Sequence, residues 1–280
     1  MWKRCACASA NLVNELPSHD AEVSVLFCDI RSFTAISERL APDITMRWLR
    51  AVMHELSELI IDNEGVLVDF AGDEIMAMWG APEAAQEHAT RACNTAVQIL
   101  ERLPTVSAKW HEQIGVETDL AIGVNSGRAM VGHIGTARKT KYGPLGDTVN
   151  IGSRILGATA HLRTRLLISG QTRAAVDQHW TNGSLRRLCQ VRMKNLAQSV
   201  ELFELRPLSA STLPNDLTNR YEQALACYES QSLQQAAALL GQLLVDYPDD
   251  GPSLMLMSRV VAAMLDEDLI LDTVWTLPSK

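Results

Sequence analysis

The sequence predicts an α+β fold, a central and mostly antiparallel sheet with helices, followed by a small α-helical hairpin. Three observations carry that expectation. Residues 22–80 read as strand, long amphipathic helix and hairpin, the first half of a split β-α-β arrangement of the ferredoxin-like kind. Two further alternating stretches, 117–124 and 129–134, read as paired strands. Beyond residue 216 the apolar residues recur only at helical spacing.

Each element has its own signal. Val23, Val25 and Phe27 alternate with smaller or polar residues and run into Leu26-Phe27-Cys28, a strand buried on at least one face, with Asp29 at its end. Pro42-Asp43 is a helix start, and Ile44, Trp48, Val52, Leu56 and Leu59 carry the apolar face toward Ile61. After Gly65, residues 66–70 form a second strand, Ala71-Gly72-Asp73 a tight turn, and 74–79 a third strand. Pro82 opens a predicted helix that runs to Leu103, and 104–115, with Trp110 and His111, reads as a loop. Asn125-Ser126-Gly127 is read as a hairpin turn, with Arg128 opening the strand that follows. The basic run GTARKTKY, 135–142, reads as a loop.

Gly146-Asp147-Thr148 begins the next helix, with Asp147 or Thr148 as its N-cap. Asn150 and Arg154 are four residues apart and share one face of it, while Ile151 and Ile155 point toward the core. Strands follow at 166–169, 185–188, 190–193 and 200–205, with a helix at 171–176. The chain thus divides into a lead-in (1–20), a main domain (21–206), a linker rich in Pro, Ser and Thr (207–216) and a helical tail (217–280). In the tail, Tyr221, Ala224, Leu225, Tyr228, Ala236, Leu239 and Leu240 keep helical spacing, Asp246-Tyr247-Pro248 interrupts it, and 252–263 form another helix.

A net charge of −8 argues against a general nucleic-acid binder, so an anionic ligand must be held by local cations. Six cysteines lie scattered without paired zinc spacing, and Cys28 and Cys93 fall in apolar patterns, which suits small core residues in a reduced cytoplasm.

One geometric consequence bears on function. A third strand returning antiparallel beside the first brings Asp29 and Asp73 to one sheet edge, where two carboxylates repel unless a cation sits between them. Capping of separate turns is the plainer role for such aspartates. Their company after two apolar strands favours a divalent-metal site.

The segments FCDIRSFT, DFAGDEIMAMWG and KYGPLGDTVNIGSR, in this order, resemble the catalytic domain of the class III adenylate/guanylate cyclases over residues 22–206. The stretch 221–250 is similar to a tetratricopeptide-type helical hairpin. The first resemblance implies conversion of ATP to 3′,5′-cyclic AMP and pyrophosphate in signal transduction. A guanylate or dual-specificity cyclase is the alternative, as is a degenerate cyclase-like module that senses nucleotide or acts as a scaffold.

The cyclase resemblance also implies roles. Asp29, the backbone carbonyl of Ile30, and Asp73 would hold two Mg²⁺ or Mn²⁺ ions per site. Backbone amides around Phe33 and Thr34 would bind phosphate, and Arg128 and Lys194 would reach the triphosphate. Asn150 would orient the ribose, and Arg154 would neutralise charge on the α-phosphate. Asp69 stands where adenylate cyclases usually have a lysine, and Gly143 where they have an aspartate or threonine; an acid at the first place resembles guanylate cyclases, and because adenine N6 could also donate to Asp69 and Gly143 supplies no side chain, weak base selectivity is implied. The family builds its sites across a dimer, so a homodimer with shared sites is implied, and the tail is a candidate surface for a protein partner.

Overall fold

The centre of the molecule is a long strand, β1 (His19–Ile30), that pairs on both sides. The computed structural model describes residues 17–136, 139–178, 180–193, 199–208, 215–266 and 272–276. After β1 the chain forms α1 (Phe33–Ser37), α2 (Pro42–Asp62), β2 (Val66–Ala71), β3 (Glu74–Trp79), α3 (His88–Ile114), β4 (Leu120–Thr136) and β5 (Lys139–Leu145). It continues through α4 (Asp147–His161), β6 (Leu166–Ser169), α5 (Gly170–Ala175), β7 (Gly183–Arg192) and β8 (Ser199–Pro207), then α6 (Asn215–Glu229), α7 (Leu233–Asp246), α8 (Gly251–Leu265) and β9 (Trp275–Thr276). The sheet runs β2-β3-β1-β4-β6-β8-β7-β9, with β5 paired to β4 beyond the main path. Among the described residues no helix is long and apolar enough to cross a membrane.

Alternation along β1 builds two cores. Leu26, Cys28 and Ile30 face α2 and α3, where Trp48, Val52, Leu56, Ala92, Ala96 and Ile99 are buried with them. Val23, Val25 and Phe27 face the other way, toward Met76, Met78 and Leu156. Here α4 crosses the sheet closely: a Cβ on Gly152 would lie 2.8 Å from Val25 Cγ2. Cys28 and Cys93 are fully buried, as their patterns implied. The start of α2 at Pro42 and the turn between β2 and β3 also stand where the sequence puts them.

Four expectations change. Residues 125–127 make no hairpin turn: β4 stays paired with β1 through Val25↔Asn125, Ser24↔Ser126 and Val23↔Gly127. The turn-prone side chains are satisfied inside the fold instead, Asn125 Nδ2 donating to the Thr148 carbonyl (2.9 Å) and Ser126 Oγ meeting Ser24 Oγ (2.6 Å) and Thr172 Oγ1 (3.0 Å). The hairpin lies later, between β4 and β5, within the segment read as a basic loop. The helix expected from Pro82 begins at His88, and it passes through Pro104 to Ile114 in place of the expected loop. An interior proline costs about 3 kcal/mol or more. Burial of Val106, Ile114 and part of Trp110 beyond it returns about 1.5–3 kcal/mol for each large apolar side chain, enough to carry the helix past the break. Lastly, 185–188 and 190–193 are one strand, β7, with a register shift against β8 between Arg187 and Cys189.

The tail shares a core with the sheet. Leu188, Cys189, Val191 and Leu202 from β7 and β8 are buried with Tyr221, Leu240, Leu256 and Trp275. Arg186 of β7, fully buried, donates to Glu204 of β8 (2.5 and 3.0 Å) and to both oxygens of Asp250 at the start of α8 (2.9 Å each), under the Tyr221 ring at 4.8 Å. Thr164 and Arg206 complete the donors around Glu204. The segment 209–214, at the centre of the expected linker, lies outside the described residues. The tail therefore covers part of the sheet, and its removal exposes that face.

Two outcomes follow for stability. Arg186→Ala leaves Glu204 and Asp250 buried without their shared cation, so urea unfolding should show a loss of about 3–5 kcal/mol. A chain ending at residue 208 should show a broadened, early melt instead of the cooperative transition of the full chain.

Candidate active site

The register that pairs β1 with β3 sets the candidate site. Cys28 faces Ile75 across the ladder, so the next residues outward are Asp29 on β1 and the β2–β3 turn that carries Asp73. The two carboxyls stand close enough there for each to feel the other. Burial, then Asp29, pushes the Asp73 carboxyl up to about 7. Ile30 follows at the end of β1, almost fully buried.

Among the described residues, no group of three His, Cys, Asp or Glu side chains is placed to hold a metal ion. Two carboxylates beside a strand-end carbonyl form an all-oxygen donor set. That set suits a hard divalent cation whose remaining ligands come from water and substrate phosphates. The residues present fit the group that the sequence implied.

Arg31, which the sequence reading passed over, anchors this strand end. Its backbone amide donates to the Asp119 carbonyl (2.9 Å), its Nη2 to the Thr164 carbonyl (2.5 Å) and its Nε to the Leu120 carbonyl (3.3 Å). Burial lowers the Arg31 pKa, and Asp119, 3.4 Å away, works against that shift. The available signal was a basic residue directly after the aspartate strand, but its partners are remote in sequence.

The other expected residues fall into three groups. Phe33 and Thr34 open α1 directly after β1, with Ser32 before them in a left-handed conformation at φ 57°, and Phe33 stacks on Trp48 at 5.7 Å. Asn150 and Arg154 lie on α4, whose N-cap is Gly146 and not Asp147 or Thr148; the Thr148 hydroxyl donates to the Arg128 carbonyl instead (2.6 Å). Asn150 is exposed, whereas Arg154 is half-buried and its buried Nη1 has no hydrogen-bond partner among the described residues. Among those residues neither side chain hydrogen-bonds or ion-pairs with Asp29 or Asp73.

Arg128 is not brought to the aspartates either. It pairs with Glu22 in the β1 ladder, seven residues before the Asp29↔Ala121 pair and so about 23 Å along the strand, and it forms an ion pair with Asp20. Lys194 lies outside the described residues. Asp69 does not stand alone: Lys141 Nζ is 2.5 Å from its Oδ2 and holds the carboxyl below its usual range.

The raised Asp73 carboxyl has a measurable sign. The fold holds this proton more tightly than the unfolded chain does, so the metal-free protein should lose stability as the pH rises from about 4 through about 7. Discounted for solvent screening at a half-exposed group, the loss is about 1 kcal/mol. Asp73→Asn should remove that loss in melts at pH 8. Mn²⁺ at a hundredfold excess over its Kd should stabilise the wild-type chain by about 2.7 kcal/mol and leave the variant unchanged.

Comparisons with known proteins agree with this arrangement. The model of the adenylate and guanylate cyclase catalytic domain matches residues 16–203. Adenylate cyclase 1 of Rhizobium meliloti is 32% identical over 66% of this chain and 27% of its own length, and the terminal-differentiation specific adenylate cyclase of Dictyostelium discoideum is 25% identical over 85% of this chain and 11% of its own. The chain thus spans about a quarter or less of these relatives. Among solved structures, the guanylyl cyclase Cya2 is 27% identical with a TM-score of 0.61, covering 68% of this chain and 94% of that one. The adenylyl cyclase CyaB from P. aeruginosa, at 24% identity, shares the fold with a TM-score of 0.62 over 68% of this chain and 96% of that one. By its matched domain and its sheet, this chain belongs to the adenylate and guanylate cyclase catalytic domain family.

Proposed function

We propose that the chain converts ATP to 3′,5′-cyclic AMP and pyrophosphate at sites shared by two copies. The convergence of Asp29 and Asp73 supports this reading most, because two acidic groups held together at a sheet edge call for a cation. Members of the family generally use divalent metals. Asp29, Asp73 and the Ile30 carbonyl would hold Mg²⁺ or Mn²⁺, two ions per site. When bound, such ions supply Lewis-acid activation of the ribose 3′-hydroxyl and neutralise the phosphates.

The chain's own groups position and stabilise. Amides at Phe33 and Thr34 receive phosphate oxygens. Asn150 orients the ribose so that its 3′-oxygen faces the α-phosphorus. Bond formation there, with the 3′-hydroxyl proton passed to water, breaks the bond from the α-phosphorus to the bridging oxygen and expels pyrophosphate, and Arg154 meets the charge that grows on the α-phosphate. The Nη1 of Arg154, buried and without a partner among the described residues, supports this role, since such a guanidinium nitrogen suits a ligand oxygen. Lys194 reaches the triphosphate in this reading. Arg128 is placed too far from the aspartates of its own protomer to act there.

A two-fold pair places the metal residues of one protomer against α4 of the other. The tail is a weaker candidate for partner binding than its helical pattern suggested, because many of its apolar residues already cover the sheet.

Mixing chains tests both chemistry and assembly. With Mn²⁺ and ATP, Asp73→Ala and Arg154→Ala chains should each lose nearly all cyclic nucleotide formation. After subunit exchange at equal amounts, half the dimers are mixed and each has one intact site, so about a quarter of wild-type activity should return. No recovery despite proven exchange would sink the shared site, and no product from wild-type chain with either ATP or GTP would sink the cyclase reading.

A further inference from the structure

The catalytic reading leaves one cluster of cations without a task. Arg163, Thr164 and Arg165 join α4 to β6 and, with Arg31, Asp119 and Ala160, line an open cavity of about 410 Å³. Three guanidinium groups stand there against one carboxylate, a local excess of two positive charges in a chain of net charge −8. Asp119 is shared between two of them, its Oδ1 lying 2.6 Å from Arg165 Nε and its Oδ2 3.4 Å from Arg31 Nε. Arg31 spends Nη2 and Nε on the Thr164 and Leu120 carbonyls, and its Nη1 has no hydrogen bond among the described residues. Among those residues the Arg163 side chain has neither a hydrogen bond nor an ion pair.

The loop that carries two of the arginines is held from behind. Thr164 is buried and gives its hydroxyl to Glu204, which Arg186 also engages. Gly251, at the start of α8, packs on the Arg163 carbonyl so closely that a Cβ there would overlap it. Arg163 itself is left-handed at φ 51°, a conformation that disfavours most side chains. Strain held in place by surrounding packing is a feature of ligand clamps. Burial lowers the Arg31 pKa, Asp119 opposes this, and the Arg165 charge pushes the same way as burial, so an anion between these groups relieves a repulsion.

We propose that this cavity binds a phosphate dianion, either inorganic phosphate or the phosphate end of a monoester. The charge excess of two matches that ligand, and arginine forks take two phosphate oxygens each. The volume falls in the ordinary range of small-molecule sites, with room for the organic part of a monoester. The cavity shares no lining residue with the metal, ribose or triphosphate groups assigned above. Ala160 lies about 15 Å along α4 from Asn150, so the cavity sits toward the opposite end of that helix. The inference stands on these residues alone and does not need the cyclase reading.

Calorimetric titration of the metal-free full chain with inorganic phosphate, at constant ionic strength, tests it. One phosphate per chain should bind with a Kd of about 1 mM or below. A chain carrying both Arg163→Gln and Arg165→Gln should bind about tenfold or more weakly, whereas Arg154→Ala should stay within about twofold of wild type. Phenyl phosphate separates the two sources: tighter binding than phosphate assigns the site to a monoester, and equal or weaker binding to the free ion. No saturation up to about 20 mM of either ligand overturns the proposal. So does a double variant that melts and binds like wild type, or a loss of binding in Arg154→Ala alone. Tungstate, a heavier tetrahedral dianion, gives a test without substitutions. In metal-free crystals its anomalous peak should lie among Arg31, Arg163 and Arg165, and peaks only elsewhere overturn the site.

Discussion

The structure depends on a repulsion that the fold itself creates. Antiparallel pairing of β1 with β3 is what buries Leu26, Cys28, Ile75 and Ala77 in one core and Val25, Phe27, Met76 and Met78 in the other. The same register carries Asp29 and Asp73 into contact just past the ladder. Slipping by one residue would separate the carboxylates but would also turn every apolar side chain of the strand to the wrong face. Core packing therefore holds the acidic pair together, and the pair answers by keeping a proton or admitting a cation.

Much of this was legible in the sequence. Pro42-Asp43, the apolar run into Asp29 and the Gly72 turn are local signals, and each element they announce is present. What escaped is what long-range partners decide. Asn125, Ser126 and Gly127 have the composition of a turn, and only Thr148, Ser24 and Thr172, distant in sequence, make them strand residues. Pro104 looked like a helix end because the packing that carries α3 past it is not visible in the local pattern. In the site, the two aspartates followed from strand order alone. Arg31 and Lys141 did not, since their partners Thr164 and Asp69 lie on other elements. Arg128, which the cyclase resemblance links to the triphosphate, lies by the β1–β4 register toward the other end of β1 from Asp29.

The tail changes the picture of how the chain is organised. Its composition suggested helices beyond a linker, but Arg186 ties Glu204 of the sheet to Asp250 of α8 in a buried cluster. Such an arrangement adds little net stability over apolar packing, while loss of one member costs several kcal/mol, about 3–5. Its effect is to fix how α8 docks. Glu204 also accepts from Thr164, whose carbonyl receives Arg31, so a continuous set of hydrogen bonds links the tail to the strand end beside Asp29.

The central claim is that the Asp29–Asp73 pair is a divalent-metal site serving a nucleotide. A crystal structure of the full chain with Mn²⁺ and a non-cyclisable ATP analogue, with anomalous data at the manganese edge, tests it most directly. The account predicts two anomalous peaks about 3.5–4 Å apart, bounded by the two carboxylates and the analogue's phosphates, with Arg154 of the partner copy facing the α-phosphate. A bound nucleotide with no anomalous peak at the aspartates, or with manganese held elsewhere, would contradict it.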